Sequence, residues 1–142
     1  MQIPVISVNI ASASKRTDGP LRRSDSSALQ RSELRYRRFL ALVAKYPDEV
    51  LAPARDIDEV WHLHMLHPRA YMEDCLRIFG SVLDHDGGFG KASAEEFAEL
   101  ERVFARTAVL WQAEFDEEYV ANPCEEMVKC IRACRVACKK VA

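Results

Sequence analysis

The sequence predicts an all-α fold, a single domain of four to five helices. Apolar side chains recur at three- and four-residue spacing over long segments, as on one face of a helix. Serine, aspartate, proline and glycine stand where such segments begin and end. Only the amino-terminal stretch alternates like a strand, through Ile3, Val5 and Val8, and no partner strand is evident elsewhere. At 142 residues the chain is long enough to build one hydrophobic core without disulfides or a structural metal.

Residues 1–23 read as an extended or disordered arm, with Gly19 and Pro20 marking a loop before the helical body. The body is expected over residues 24–122. Its first helix starts near Ser24–Ser27, whose oxygens can cap it, and runs to about Lys45. Leu29, Tyr36, Phe39, Leu40 and Val43 form its apolar stripe, and Pro47 ends it. Pro53 suits the first turn of a second helix, over about residues 54–66. Pro68 breaks this one and starts another, so that the two form a kinked pair stopped by Gly80. Tyr71, Cys75, Leu76 and Phe79 share a face there. Residues 81–90 are a loop rich in glycine. Ser93 with Glu96 is a capping box that opens a long helix. Its stripe runs from Phe97 through Leu100, Phe104, Trp111 and Phe115 to Tyr119, and Asn122-Pro123 closes it. A last helix over residues 123–142 carries the remaining cysteines.

Composition narrows the function classes. The formal net charge of −2 exerts no global pull on nucleic acid or an anionic membrane. The arginines of the first third match no known nucleic-acid-binding motif, so no nucleic-acid partner is expected. No apolar run approaches membrane-spanning length. The apolar start is interrupted by Pro4, Ser7 and Asn9, unlike a secretory signal. The five cysteines are too few and too clustered for a secreted disulfide scaffold, which points to a reducing, cytoplasmic setting. No nucleophile–base pair and no phosphate loop is recognisable, so no nucleotide cofactor is expected and no reaction is assigned.

The chemistry gathers between Asp56 and Cys75. Three of the four histidines lie there, His62, His64 and His67. On a strand, His62 and His64 would point the same way; on a helix they diverge by about 200°. The flanking prolines and the acids of the first turn favour a helix. Helical spacing then pairs Asp58 with His62 at i and i+4, where they can share a metal ion or a hydrogen bond. Ile57, Trp61 and His64 fall on a neighbouring face, and His67 sits at the kink. Further ligands are available from Asp84-His85-Asp86, if that loop folds back over the helix. Asp58, His62, His85 and Asp86 form a mixed nitrogen and oxygen set that suits Zn(II), Fe(II) or Mn(II) better than Cu(I) or Ca(II). His64, Asp56 and Asp84 are secondary candidates. The metal reading requires that His85 approach His62 closely. The competing readings are a structural polar network inside a non-catalytic interaction module, and metal-free acid–base chemistry with His62 as the base.

The run Pro53-Ala54-Arg55-Asp56-Ile57-Asp58-Glu59-Val60-Trp61-His62-Leu63-His64 continues with Pro68, Tyr71, Asp74-Cys75, Phe79-Gly80 and Asp84-His85-Asp86. Together these resemble the glycine-rich domain-containing protein-like family of plants and bacteria. Tyr36-Arg37-Arg38-Phe39-Leu40 upstream, and Trp111 and Tyr119 downstream, fit the same pattern. The resemblance covers about residues 35–119. It implies a helical domain without a settled biochemical role. Plant members are associated with development and stress responses, some through an attached RNA-binding domain that these 142 residues do not carry. Members often end in a tail rich in glycine and cysteine; here the tail has cysteines and no glycine run.

Cys124, Cys130, Cys134 and Cys138 crowd that tail. On a helix they would form a drifting thiol stripe. The stripe suits either a soft metal or redox chemistry, also in contact with a protein partner, or a buried face on which cysteine serves as a small apolar residue.

Overall fold

The computed structural model describes residues 1–121. The last predicted helix, with Cys124, Cys130, Cys134 and Cys138 and any partner surface on it, lies outside the described residues. Within them the protein is all-α, with five helices and no strand: α1 (Ile10–Ser14), α2 (Ser26–Lys45), α3 (Arg55–Met65), α4 (Pro68–Phe79) and α5 (Ala94–Phe115). None of these helices is long and apolar enough to cross a membrane.

Helix α3 is the centre. It packs on α1, α2 and α4, and most extensively on α2. Ile57, Val60 and Trp61 on α3 are completely buried, as are Tyr36, Phe39 and Leu42 on α2. Aromatic contact joins the two helices, with the Trp61 ring 5.6 Å from Phe39 and 6.3 Å from Tyr36. The cap of α2 is Asp25, whose side chain accepts from the Ala28 N–H at 2.8 Å and satisfies one of the orphan donors of the first turn. Pro68 opens α4, and Gly80 closes it at φ +73°, a left-handed conformation that costs glycine little.

The amino-terminal arm differs from the expectation of an extended or disordered segment. Residues 1–9 are extended, but α1 follows, and Pro20–Arg23 form a turn of 3₁₀ helix. Asn9 caps α1 by accepting from the Ser12 N–H. Ile6, Ile10, Ala13 and Leu21 are buried against the body. A five-residue helix cannot sustain itself by propensity and shows no periodicity to read; packing of Ile10 and Ala13 holds it. The extended part is tied by polar attachments. Arg37 Nε donates to the Pro4 carbonyl at 2.7 Å, and Arg77 Nη2 to the Val5 carbonyl at 2.5 Å.

Two further expectations change. Helix α5 stops at Phe115, with Asp116 left-handed at φ +50°, and does not continue to Tyr119. Tyr119 rejoins the Trp111 cluster from the turn beyond, its ring 5.1 Å from that of Trp111. Its hydroxyl accepts from the Ala54 N–H at 2.8 Å and donates to the Ala52 carbonyl at 2.9 Å, fixing the entry to α3. On α4, Leu76 is exposed, and Asp74 takes the inward position beside Tyr71 and Cys75. The capping box is half formed. Ser93 accepts from the Glu96 N–H, while the Glu96 carboxylate accepts from the N–H groups of Gly90 and Ala92.

Candidate metal centre

Asp58 and His62 stand one turn apart on α3, as their spacing requires. The loop after α4 returns to this helix and brings His85 to both. His85 Nε2 lies 3.1 Å from Asp58 Oδ1 and hydrogen-bonds to it; His62 Nε2 lies 3.7 Å from the same oxygen. One nitrogen from each imidazole and the Asp58 oxygen all fall within 4.8 Å of one another. The rings of His62 and His85 are 4.8 Å apart.

The loop is also held by contacts that involve neither Asp58 nor His62. The Tyr71 hydroxyl accepts from Trp61 Nε1 at 3.0 Å and donates to the Leu83 carbonyl at 2.7 Å, two residues before His85. The His85 ring meets Trp61 edge to face at 4.5 Å. Farther along, Phe89 is buried and Gly90 adopts φ +92°. A Cβ on Gly90 would lie 2.7 Å from Leu100 Cδ2, so no larger residue fits there without a shift.

Burial is graded across the three groups. The side chains of Asp58 and His85 are 2% and 5% exposed, and that of His62 is 46% exposed. Any ion held by these three groups therefore has two buried ligands and one at the surface. Partial burial pushes His62 below its usual pKa, against the attraction of Asp58 and with the help of neighbouring His85. The neutral imidazole, with a lone pair to donate, is thus the favoured form at neutral pH.

The other sequence candidates are not part of this group. Asp86 is exposed, and its carboxylate accepts from the Gly88 N–H at 3.1 Å within its own turn. Asp84 is exposed as well. Asp56 is drawn away by Arg35, whose Nε donates to it at 2.7 Å. His64, 1% exposed, belongs to a separate network on the far side of α3. Its Nδ1 accepts from the Tyr36 hydroxyl at 2.9 Å, and its Nε2 lies 3.2 Å from Asp74 Oδ2. That second contact is electrostatic in kind, because the N–H is off line for a good hydrogen bond. Asp74 Oδ2 also accepts from the N–H and hydroxyl of Ser7, at 2.7 and 2.9 Å, and Oδ1 from Arg77 at 2.6 Å. Sequence reasoning passed over Tyr36, Asp74 and Ser7 as a unit. The available signal was Asp74 itself, an acid at a helix position where the apolar stripe calls for a leucine.

The model of the family described as glycine-rich domain-containing protein-like matches residues 21–74. Over 100 residues the chain is 33% identical to glycine-rich domain-containing protein 1 of Arabidopsis thaliana, covering 64% of this chain and 11% of that protein. Over 95 residues it is 32% identical to glycine-rich domain-containing protein 2 of the same plant, covering 64% of this chain and 12% of that protein. The match thus spans about a tenth of the length of these curated relatives. No solved structure matches the chain. The matched stretch contains α2, α3 and most of α4, and so includes Asp58 and His62 but stops short of His85.

Proposed function

We propose, for a chain that belongs through residues 21–74 to the glycine-rich domain-containing protein-like family, that its helical domain binds one divalent transition-metal ion on Asp58, His62 and His85. The observation that supports this reading is the convergence of three ligand atoms from two separate elements. Tetrahedral Zn(II), with bonds of about 2.0–2.1 Å, sets its ligand atoms roughly 3.3 Å apart. The distances of 3.1 and 3.7 Å from Asp58 Oδ1 bracket that value. His62 is the surface-exposed member of the three, 46% exposed. Two imidazoles and a carboxylate suit Zn(II), Fe(II) or Mn(II). With three protein ligands among the described residues, one or more positions are left for water or a small external ligand, the open arrangement of a site that exchanges ligands.

A second reading is favoured by one observation, the hydrogen bond that His85 already makes to Asp58. In that case the trio is a structural polar contact between loop and helix. Metal analysis separates the two. Protein purified anaerobically without chelators should contain about one ion per chain, and His62→Ala and His85→Ala should each lose it. Absence of stoichiometric metal, or its retention in both variants, would sink the metal reading. At a metal concentration a hundredfold above Kd, binding should stabilise the folded protein by about 2.7 kcal/mol.

A further inference from the structure

A groove of ≈ 480 Å³ lies between the carboxyl-terminal ends of α2 and α4. The extended arm forms its third wall. Ala41 and Ala44 of α2 and Ile78 of α4 supply an apolar floor, with Ile3 and Val5 from the arm. Among the described residues, Lys45 and Arg77 line it and no carboxylate does. Each cation has an acidic partner outside the lining. Lys45 Nζ lies 2.5 Å from Glu114, and Arg77 Nη2 lies 2.6 Å from Asp74. Asp74 is also engaged by Ser7, twice, and by His64, so Arg77 is one of several donors it holds. Both cations remain about half exposed, at 47% and 53%.

A concavity lined by polar and apolar groups together, at a volume within the roughly 300–1,000 Å³ of small-molecule sites, matches a ligand of the same division. We propose that this groove binds a small amphipathic anion, a carboxylate on an apolar tail. The tail lies on Ala41, Ala44 and Ile78, and the head group takes hydrogen bonds from Lys45 and Arg77. The arm makes the site possible. Its residues would otherwise leave the groove open on that side, and it is held there by Arg37 at Pro4, Arg77 at Val5 and Asp74 at Ser7.

Calorimetric titration of the full chain with sodium decanoate, kept below its micellar concentration, tests this directly. Decyltrimethylammonium, of equal tail length and opposite charge, is the matched probe. Saturable one-to-one binding of decanoate is expected, with no saturable binding of the cation. Ala44→Phe places a ring in the groove from an exposed helix position, which keeps the fold intact by circular dichroism, and should abolish decanoate binding. Lys45→Gln should weaken it about fivefold to tenfold, the loss of one charge-assisted contact near the surface. Equal affinity for the two amphiphiles, undiminished binding by Ala44→Phe, or no saturable binding of decanoate by the unaltered chain would each overturn the proposal.

Discussion

Helix α3 carries a histidine–aspartate constellation on each of two faces, and the two are built in opposite ways. On one face His64 and Asp74 are sealed. Neither is more than 3% exposed, and Tyr36, Ser7 and Arg77 hydrogen-bond to them, while His64 Nε2 sits against Asp74 without a hydrogen bond. On the other face Asp58 meets two imidazoles at one oxygen, and His62 stands half in solvent. The residue types are the same, but the sealed pair is closed off from solvent, whereas the open trio has three ligand-type atoms within 4.8 Å of one another. Burial among several hydrogen-bond partners makes polar groups structural. Convergence with a solvent-facing side is what a binding site requires.

The most severe way to break this contrast is Asp74→Ala. It removes the acceptor shared by the arm, α3 and Arg77, and leaves buried donors unpaired. A loss of about 3–5 kcal/mol is expected in urea or thermal unfolding, whether or not metal is present. The arm should also become susceptible to proteolysis near Ser7. A loss below 1 kcal/mol would show that the sealed network is dispensable. Tyr36→Phe, which deletes only the hydroxyl against His64 Nδ1, should cost about 1–3 kcal/mol by leaving that nitrogen unpaired.

Acid distinguishes the two members of the sealed pair. Burial pushes His64 below its ordinary value of 6.5, against the pull of Asp74. The unfolded chain therefore takes up that proton first, and stability should decline as pH falls below about 6.5 toward the lower folded value. For Asp74, burial raises the pKa, but the Ser7 backbone N–H, Arg77, the Ser7 hydroxyl and His64 outweigh it, and the net shift is downward from 3.8. Its contribution is present above that value and is lost only as pH drops through the folded value below it. Melting curves of His64→Asn, which cannot titrate, should lose the first of these slopes and keep the second.

His62→Ala should have the smallest effect on metal-free stability, within about 0.5 kcal/mol, as for other surface substitutions. The same variant should abolish any rise in melting temperature on adding Zn(II). Equal destabilisation of the metal-free and metal-loaded protein would place His62 with the structural network and erase the contrast.

Much of this was legible in the chain. The spacing of Asp58 and His62 put them on one helical face, Pro68 marked the break between α3 and α4, and Gly80 marked the end. The return of His85 could be stated only as a condition, because the path of a loop depends on what it packs against. Here that is Trp61 and the Tyr71 hydroxyl. In the sequence the arm reads as extended or disordered because five residues of α1 are too few to display a period. The apolar stripe of α5 ran on through Tyr119 in the sequence, because a residue returning from a turn and one continuing a helix can fill the same position in a core.

The sequence by itself determined the class of fold, the borders of α2, α3 and α4, and the pairing of Asp58 with His62, since all of these are set within a few residues by local sterics, capping and period. Tertiary structure decided which histidines meet which acids. It gave His85 to Asp58, sealed His64 against Asp74 and Tyr36, and sent Asp56 to Arg35. Those choices join residues from separate elements, and only the packing of α3 against its neighbours settles which partners come within reach.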